Sequence, residues 1–199
     1  MERDEQHEED TMKLEVIPDE SGYLHNPREW DNAWTLVPLK KFRYKELFDT
    51  TDVTLDREDF TDYEDVDCKA LQRKTGEKIA LAVTVYALNH GAIVFSRGHF
   101  YDYDPCRWDW GIAGAAYITR KNRRWFATDE DALKCLDGEL DELTAYANGD
   151  MWGYRILDDG GNEISSCYGY YSEEDARQAG EEALENLERV TPKQLTLPL

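Results

Sequence analysis

The run Ile79-Ala80-Leu81-Ala82-Val83-Thr84-Val85-Tyr86 is apolar and rich in β-branched residues, and Asn89-His90-Gly91 follows it before Ala92-Ile93-Val94-Phe95. A buried strand, turn chemistry and a second strand read as a β-hairpin, so the rest of the chain has to suit an antiparallel sheet. Ala113 to Thr119 supplies a third strand. Thr128 then precedes Asp129-Glu130-Asp131, an N-cap with acids at the positive end of a helix dipole, and Leu133, Leu136, Leu140 and Leu143 mark that helix's buried stripe. The pattern repeats after Asn148-Gly149. Trp152 to Leu157 and Ile164 to Tyr170 are strands joined across Asp158-Asp159-Gly160-Gly161-Asn162, and Ser172 caps a helix whose stripe is Ala176, Ala179, Ala183, Leu184 and Leu187.

Hairpins alternating with capped helices predict an α+β fold, an antiparallel β-sheet with helices packed on one face. The expectation is a single sheet holding Val83, Val85, Val94, Tyr117, Tyr154, Ile156 and Tyr168, covered by helices near 129–147 and 173–190. A length of 199 residues suits one such domain over 13–190, with an acidic flexible tail at 1–12 and an exposed peptide at 191–199. Pro192 ends the last helix.

Charge narrows the functional classes. Against 43 Asp and Glu stand 23 Lys and Arg, a formal charge of −20, so the field of the molecule repels phosphate backbones and anionic lipid. No apolar run approaches the roughly 18 residues of a membrane helix, and Met-Glu-Arg-Asp-Glu at the start lacks the regions of a signal peptide. The expected compartment is the cytoplasm of a bacterial host. Cys68, Cys106, Cys135 and Cys167 have neither metal-binding nor disulfide-framework spacing and read as buried thiols.

The densest charge lies between Asp49 and Asp67, with nine carboxylates against one base, Arg57, while Phe60, Tyr63, Val66 and Ala70 recur at helical spacing. This predicts an amphipathic helix with a negative outer face. At about 1.5 Å per residue it would span about 27 Å, or one carboxylate per about 3 Å, close to the roughly 3.4 Å between phosphates of one DNA strand. Glu58, Asp62 and Asp65 would share one face with Asp59 beside them, the candidate partner-binding residues.

The stretch from His99 to Gly111 mixes acids and aromatics. Asp102, Asp104 and Asp109 with His90 and His99 have the chemistry of divalent-metal ligands, although Asp side chains capping turns while Trp108 and Trp110 pack on the sheet is the plainer reading. Cys106 with His99 would make a thiol and base pair. No phosphate-cradling glycine loop and no Gly-x-Ser-x-Gly elbow occurs. The basic cluster Arg120, Lys121, Arg123 and Arg124 is expected to meet the protein's own acids or an acidic partner.

The last six residues, Gln194-Leu195-Thr196-Leu197-Pro198-Leu199, resemble the short peptide by which bacterial replication and repair proteins dock on the sliding clamp. That resemblance implies that the Gln194 amide binds at a pocket entrance while Leu195, Leu197, Pro198 and Leu199 enter an apolar cleft. Across the body, Asn26-Pro27-Arg28-Glu29-Trp30-Asp31-Asn32, the Leu88-Asn89-His90-Gly91 turn, Asp104-Pro105-Cys106-Arg107-Trp108-Asp109-Trp110-Gly111, Gly149-Asp150-Met151-Trp152-Gly153-Tyr154 and Ser166-Cys167-Tyr168-Gly169-Tyr170-Tyr171 resemble segments of a family of small proteins encoded by phages, prophages and plasmids. The resemblance implies a genetic setting and a shared fold, and transfers no catalytic residue.

Together these features predict a non-enzymatic accessory protein of a mobile element. It would act as an acidic, DNA-mimicking inhibitor of a nucleic-acid-binding host defence protein, of the antirestriction or anti-CRISPR type, tethered to the sliding clamp. This reading needs no cofactor, metal or catalytic residue and no direct contact with nucleic acid or membrane. The alternative is a metal-dependent or thiol enzyme using residues 90–109.

Overall fold

The computed structural model describes residues 12–24, 26–49 and 52–190. Among the described residues, seven strands and three α-helices form an α+β mixture in which every strand pairing is antiparallel. In place of the single sheet expected from the sequence there are two, β1-β6-β7 and β2-β5-β3-β4. They belong to two compact units, one contiguous from Asn26 to Asn148 and one built from the segments on either side. Tyr154, Ile156 and Tyr168 therefore lie in a different sheet from Val83, Val85, Val94 and Tyr117. Alternation and capping reveal where strands and helices are, but carry no information on which strand is whose neighbour.

The contiguous unit is built on β2 (Thr35–Pro38), β5 (Trp110–Thr119), β3 (Ile79–Asn89) and β4 (Ile93–Ser96). The β3–β4 hairpin and the capped helix fall where the sequence predicts them. Helix α2 (Asp129–Asn148) starts on a reciprocal cap in which Asp131 N–H donates to Thr128 Oγ1 at 3.1 Å and Thr128 N–H donates to Asp131 Oδ2 at 3.0 Å. Its buried Leu136, Leu140 and Leu143 pack on Trp34, Leu36, Val85, Ala116 and Ile118 over one face of the sheet. The opposite face carries Val37, Ala115 and Tyr117 under Leu55, Phe60 and Leu71, the last on the short helix α1 (Cys68–Thr75). A side chain at Gly114 would meet the Val37 carbonyl at 2.2 Å, so only glycine lets β2 lie this close to β5.

Both edges of this sheet are closed by side chains rather than by further strands. At β4, Ile93 N–H donates to Asn148 Oδ1 at 2.9 Å and Phe95 N–H to Thr144 Oγ1 at 3.0 Å, both from α2. At β2 the closing groups are Asp49, which accepts from Leu36 N–H, and Glu139, which accepts from Ala33 N–H at 2.9 Å. Arg28 holds these two carboxylates together. Its fork donates to Asp49 twice at 2.8 Å, to Glu139 at 2.8 Å and to the Trp34 carbonyl at 2.7 Å, with the Arg28 side chain only 2% exposed. Exposed edges invite strand addition, and these devices remove the free donors.

In the other unit β1 (Lys13–Pro18) pairs with β6 (Trp152–Leu157), which pairs with β7 (Glu163–Tyr170), and α3 (Glu173–Val190) covers one face. Ser172 caps α3, its Oγ accepting from Asp175 N–H at 3.0 Å. Gly180 sits where an added side chain would meet Leu14 and Tyr154 at 2.6 and 3.0 Å, so α3 approaches the sheet through its smallest residue.

Candidate interaction surface

The acidic segment is not a helix. Between Asp49 and Asp67 the described backbone forms one three-residue turn of 3₁₀-helix, Arg57–Asp59, and two isolated bridges, a parallel one from Leu55 to Leu39 and an antiparallel one from Phe60 to Val66. Like charges at i and i+4, Asp's poor propensity for helix interiors and its readiness to bond backbone N–H groups outweigh the apolar periodicity. Asp67 caps α1 instead, accepting from Lys69 N–H at 2.8 Å. The face expected to group Glu58, Asp59, Asp62 and Asp65 at helical positions does not form. Asp59 is buried and occupied, with Lys74 Nζ at 2.6 Å and Asp56 N–H donating at 2.8 Å. Glu58, Asp62 and Asp65 are exposed and, among the described residues, have no ion-pair partner. Tyr63, expected on the buried stripe, is 89% exposed.

The turn from Thr61 to Asp65 is held by Glu64 N–H donating to the Thr61 carbonyl at 3.0 Å and Thr61 N–H donating to the Asp65 carbonyl at 2.8 Å. Glu64 adopts a left-handed φ of 68° there. Its carboxylate reaches Arg107 at 2.7 Å, itself left-handed with a φ of 58°, and Thr84 Oγ1 donates to its carbonyl at 2.6 Å. Two non-glycine residues in this region are costly, and here one ion pair joins them. The Arg107 guanidinium also lies over Trp110, 4.4 Å from the ring centroid, beside Tyr101. Trp110 in turn meets Tyr86, whose hydroxyl is pushed up to about 12 by burial and then by the Glu64 and Asp65 charges. Two loops distant in sequence are thus locked onto one ring cluster. Arg107 is the one Lys or Arg of the acidic and aromatic stretch from His99 to Gly111, but its spacing does not point to Glu64.

The 99–110 loop does what Asp-rich turns do. Asp104 accepts from the N–H groups of Trp108, Asp109 and Cys106 at 2.6, 3.0 and 3.1 Å, and Trp110 Nε1 donates to its carbonyl at 2.7 Å. The Asp109 bond first, and then the others, hold the Asp104 carboxyl below the usual carboxylate range. Trp110 packs inward as expected, whereas Trp108 is 86% exposed. Asp109 meets His90 Nδ1 at 2.7 Å, and His99 lies edge-on to Tyr101. Among the described residues no group of three or more His, Cys, Asp or Glu side chains is arranged to hold a metal ion.

The cysteines are free but not buried as expected. Cys106 and Cys167 are exposed and Cys68 and Cys135 half-buried. The Cys135 thiol is pushed up to about 11 by burial and the nearby Glu139 charge. Of the basic cluster, Arg123 meets Asp129 at 2.6 Å and donates to the Phe126 carbonyl, bracing the entry to α2. The clamp-like residues Gln194 to Leu199 and tail residues 1–11 lie outside the described residues.

The Asp104 cap yields a pH prediction. A carboxyl whose pKa falls on folding stabilises the loop above its unfolded pKa, and that stabilisation is lost as pH drops through the lowered folded value. The Trp108 and Asp109 amides should therefore lose protection, measured against their intrinsic exchange rates at each pH, on acidification below the ordinary carboxylate range. In Asp104→Asn they should exchange fast already at neutral pH, with little further acid dependence. Unchanged protection in that variant would show that the carboxylate does not order the loop.

No protein-family model, curated protein or solved structure matches this chain.

Proposed function

We propose that the protein is a non-enzymatic accessory factor of a mobile element that competes with nucleic acid for a basic groove on a bacterial defence protein, as antirestriction or anti-CRISPR proteins do. In this reading it works in the cytoplasm of a bacterial host, with the 194–199 peptide holding it at the sliding clamp. The observation that carries the reading is the state of Glu58, Asp62 and Asp65. All three are exposed and lack ion-pair partners among the described residues, Asp62 and Asp65 in the turn anchored by the Glu64–Arg107 pair and Glu58 on the 3₁₀ turn before it, on a chain of formal charge −20. Carboxylates held without cations keep their field for a partner, and anchoring in advance lowers the ordering cost of binding. The carboxylates would stand in for phosphates from an irregular loop rather than along a helix.

Reversing these charges in Glu58→Lys/Asp62→Lys/Asp65→Lys should weaken partner binding at least about tenfold, or 1.4 kcal/mol, and reduce its salt dependence, with the melting temperature little changed. The three side chains are exposed and belong to none of the hydrophobic clusters of their unit, so a fold defect and a binding defect are separable. Equal affinity of variant and parent, measured by interferometry across a salt series, would remove this surface from the mechanism.

A further inference from the structure

The same surface carries rings as well as charges. Tyr63, Tyr103 and Trp108 are 89, 63 and 86% exposed, a concentration of bare aromatic area that marks interaction sites. They alternate with acids along the chain, as Asp62-Tyr63-Glu64-Asp65 and as Asp102-Tyr103-Asp104 and Trp108-Asp109. The Glu64–Arg107 pair, at 2.7 Å, ties one stretch to the other. Tyr103 lies edge-on to His90, whose Nδ1 is held by Asp109 at 2.7 Å, and the backbone N–H of Trp108 donates to Asp104.

A groove that holds duplex DNA meets phosphates and groove edges, because the flat faces of the bases are stacked inside, so a duplex decoy has no use for exposed rings. A groove that holds a single strand is different: it tracks the phosphates with cations and offers aromatic platforms to unstacked bases. A ring beside free acids, as Tyr63 between Asp62 and Asp65 and Tyr103 after Asp102, is what such a groove binds, Glu64, Asp104 and Asp109 being engaged within the protein. Loss of the regular helix at 49–67 points the same way, since the even carboxylate spacing of a duplex ruler is absent. Resting on the decoy reading above, we infer that the partner groove is of the single-strand type, with carboxylates taking the place of phosphates and Tyr63, Tyr103 and Trp108 the place of bases.

The test is displacement of labelled oligo(dT) from a purified bacterial single-strand DNA-binding protein, followed by anisotropy, beside displacement of a labelled operator duplex from a helix-turn-helix repressor. The full chain should displace oligo(dT) at micromolar concentration and the operator far less effectively. Tyr63→Ala/Tyr103→Ala/Trp108→Ala should need at least about tenfold more protein for the same displacement, with its melting curve unchanged because these rings lie outside the cores. Equal displacement by parent and ring variant, or preference for the duplex complex, would overturn the single-strand assignment while leaving a charge-based decoy standing. Displacement from neither complex would likewise overturn the single-strand assignment, the charge reversal of Glu58, Asp62 and Asp65 remaining the test of the decoy reading.

Discussion

Arg28→Ala is expected to lose about 3 to 5 kcal/mol of stability, enough to unfold much of the contiguous unit given typical totals of about 5 to 15 kcal/mol. The fork of Arg28 joins Asp49 and Glu139, and these carboxylates in turn accept the Leu36 and Ala33 N–H groups at the edge of β2. Burial opposes the guanidinium charge, but the two carboxylates outweigh it and raise its pKa. Without the cation, Glu139 is left as a buried charge and the strand edge loses its clamp. Arg28→Lys should rescue little, because an ammonium cannot reproduce four fork-directed bonds. Urea denaturation of parent and variants measures this directly. A loss below about 1 kcal/mol, the range of a surface ion pair, would show that the network is not holding the edge.

The other large effect concerns the C-terminal peptide. Purified protein is expected to bind a bacterial sliding clamp, and Gln194→Ala with Leu197→Ala to abolish that binding without moving the melting temperature. Burying two or three leucine side chains contributes on the order of 1.5 to 3 kcal/mol each before ordering costs, which corresponds to micromolar affinity. Calorimetry that shows no heat at tens of micromolar would make the likeness of Gln194 to Leu199 a coincidence. A clamp that binds the double variant as well as the parent would place the contact elsewhere.

What the sequence disclosed about the fold was local. Thr128 and Ser172 announced two helices because a cap and its partner acid lie three residues apart, and Asn89-His90-Gly91 announced a hairpin for the same reason. Arg28 and Glu139, separated by 111 positions, gave no sign of each other. The acidic segment misled because Phe60, Tyr63 and Val66 imitate a helical stripe, whereas Phe60 and Val66 face each other across a bridge and Tyr63 sits in the turn between them. Of the candidate surface, the sequence showed the charge of Glu58, Asp62 and Asp65 but not their setting, which depends on Arg107 arriving from another loop.

Several of the short segments singled out in the sequence brace the structure. Asn26 to Asn32 contains Arg28, Asn89 N–H donates to the Asp109 carbonyl at 2.7 Å, and Gly153 lies beneath the ring of Tyr168 where a side chain would clash at 2.3 Å.

Pairing β1 with β6 sets Lys13 against Leu157, with the whole Asn26–Asn148 unit between them. On a ribosome this means that β1 emerges first and finds its partner late. Its apolar Leu14, Val16 and Ile17 must wait through the synthesis of a complete intervening body, which can close its own sheet meanwhile. The interval before β6 leaves the exit tunnel is then the time at which β1, still without its partner strand, is expected to be most open to chaperones or to pairing with a neighbouring nascent chain.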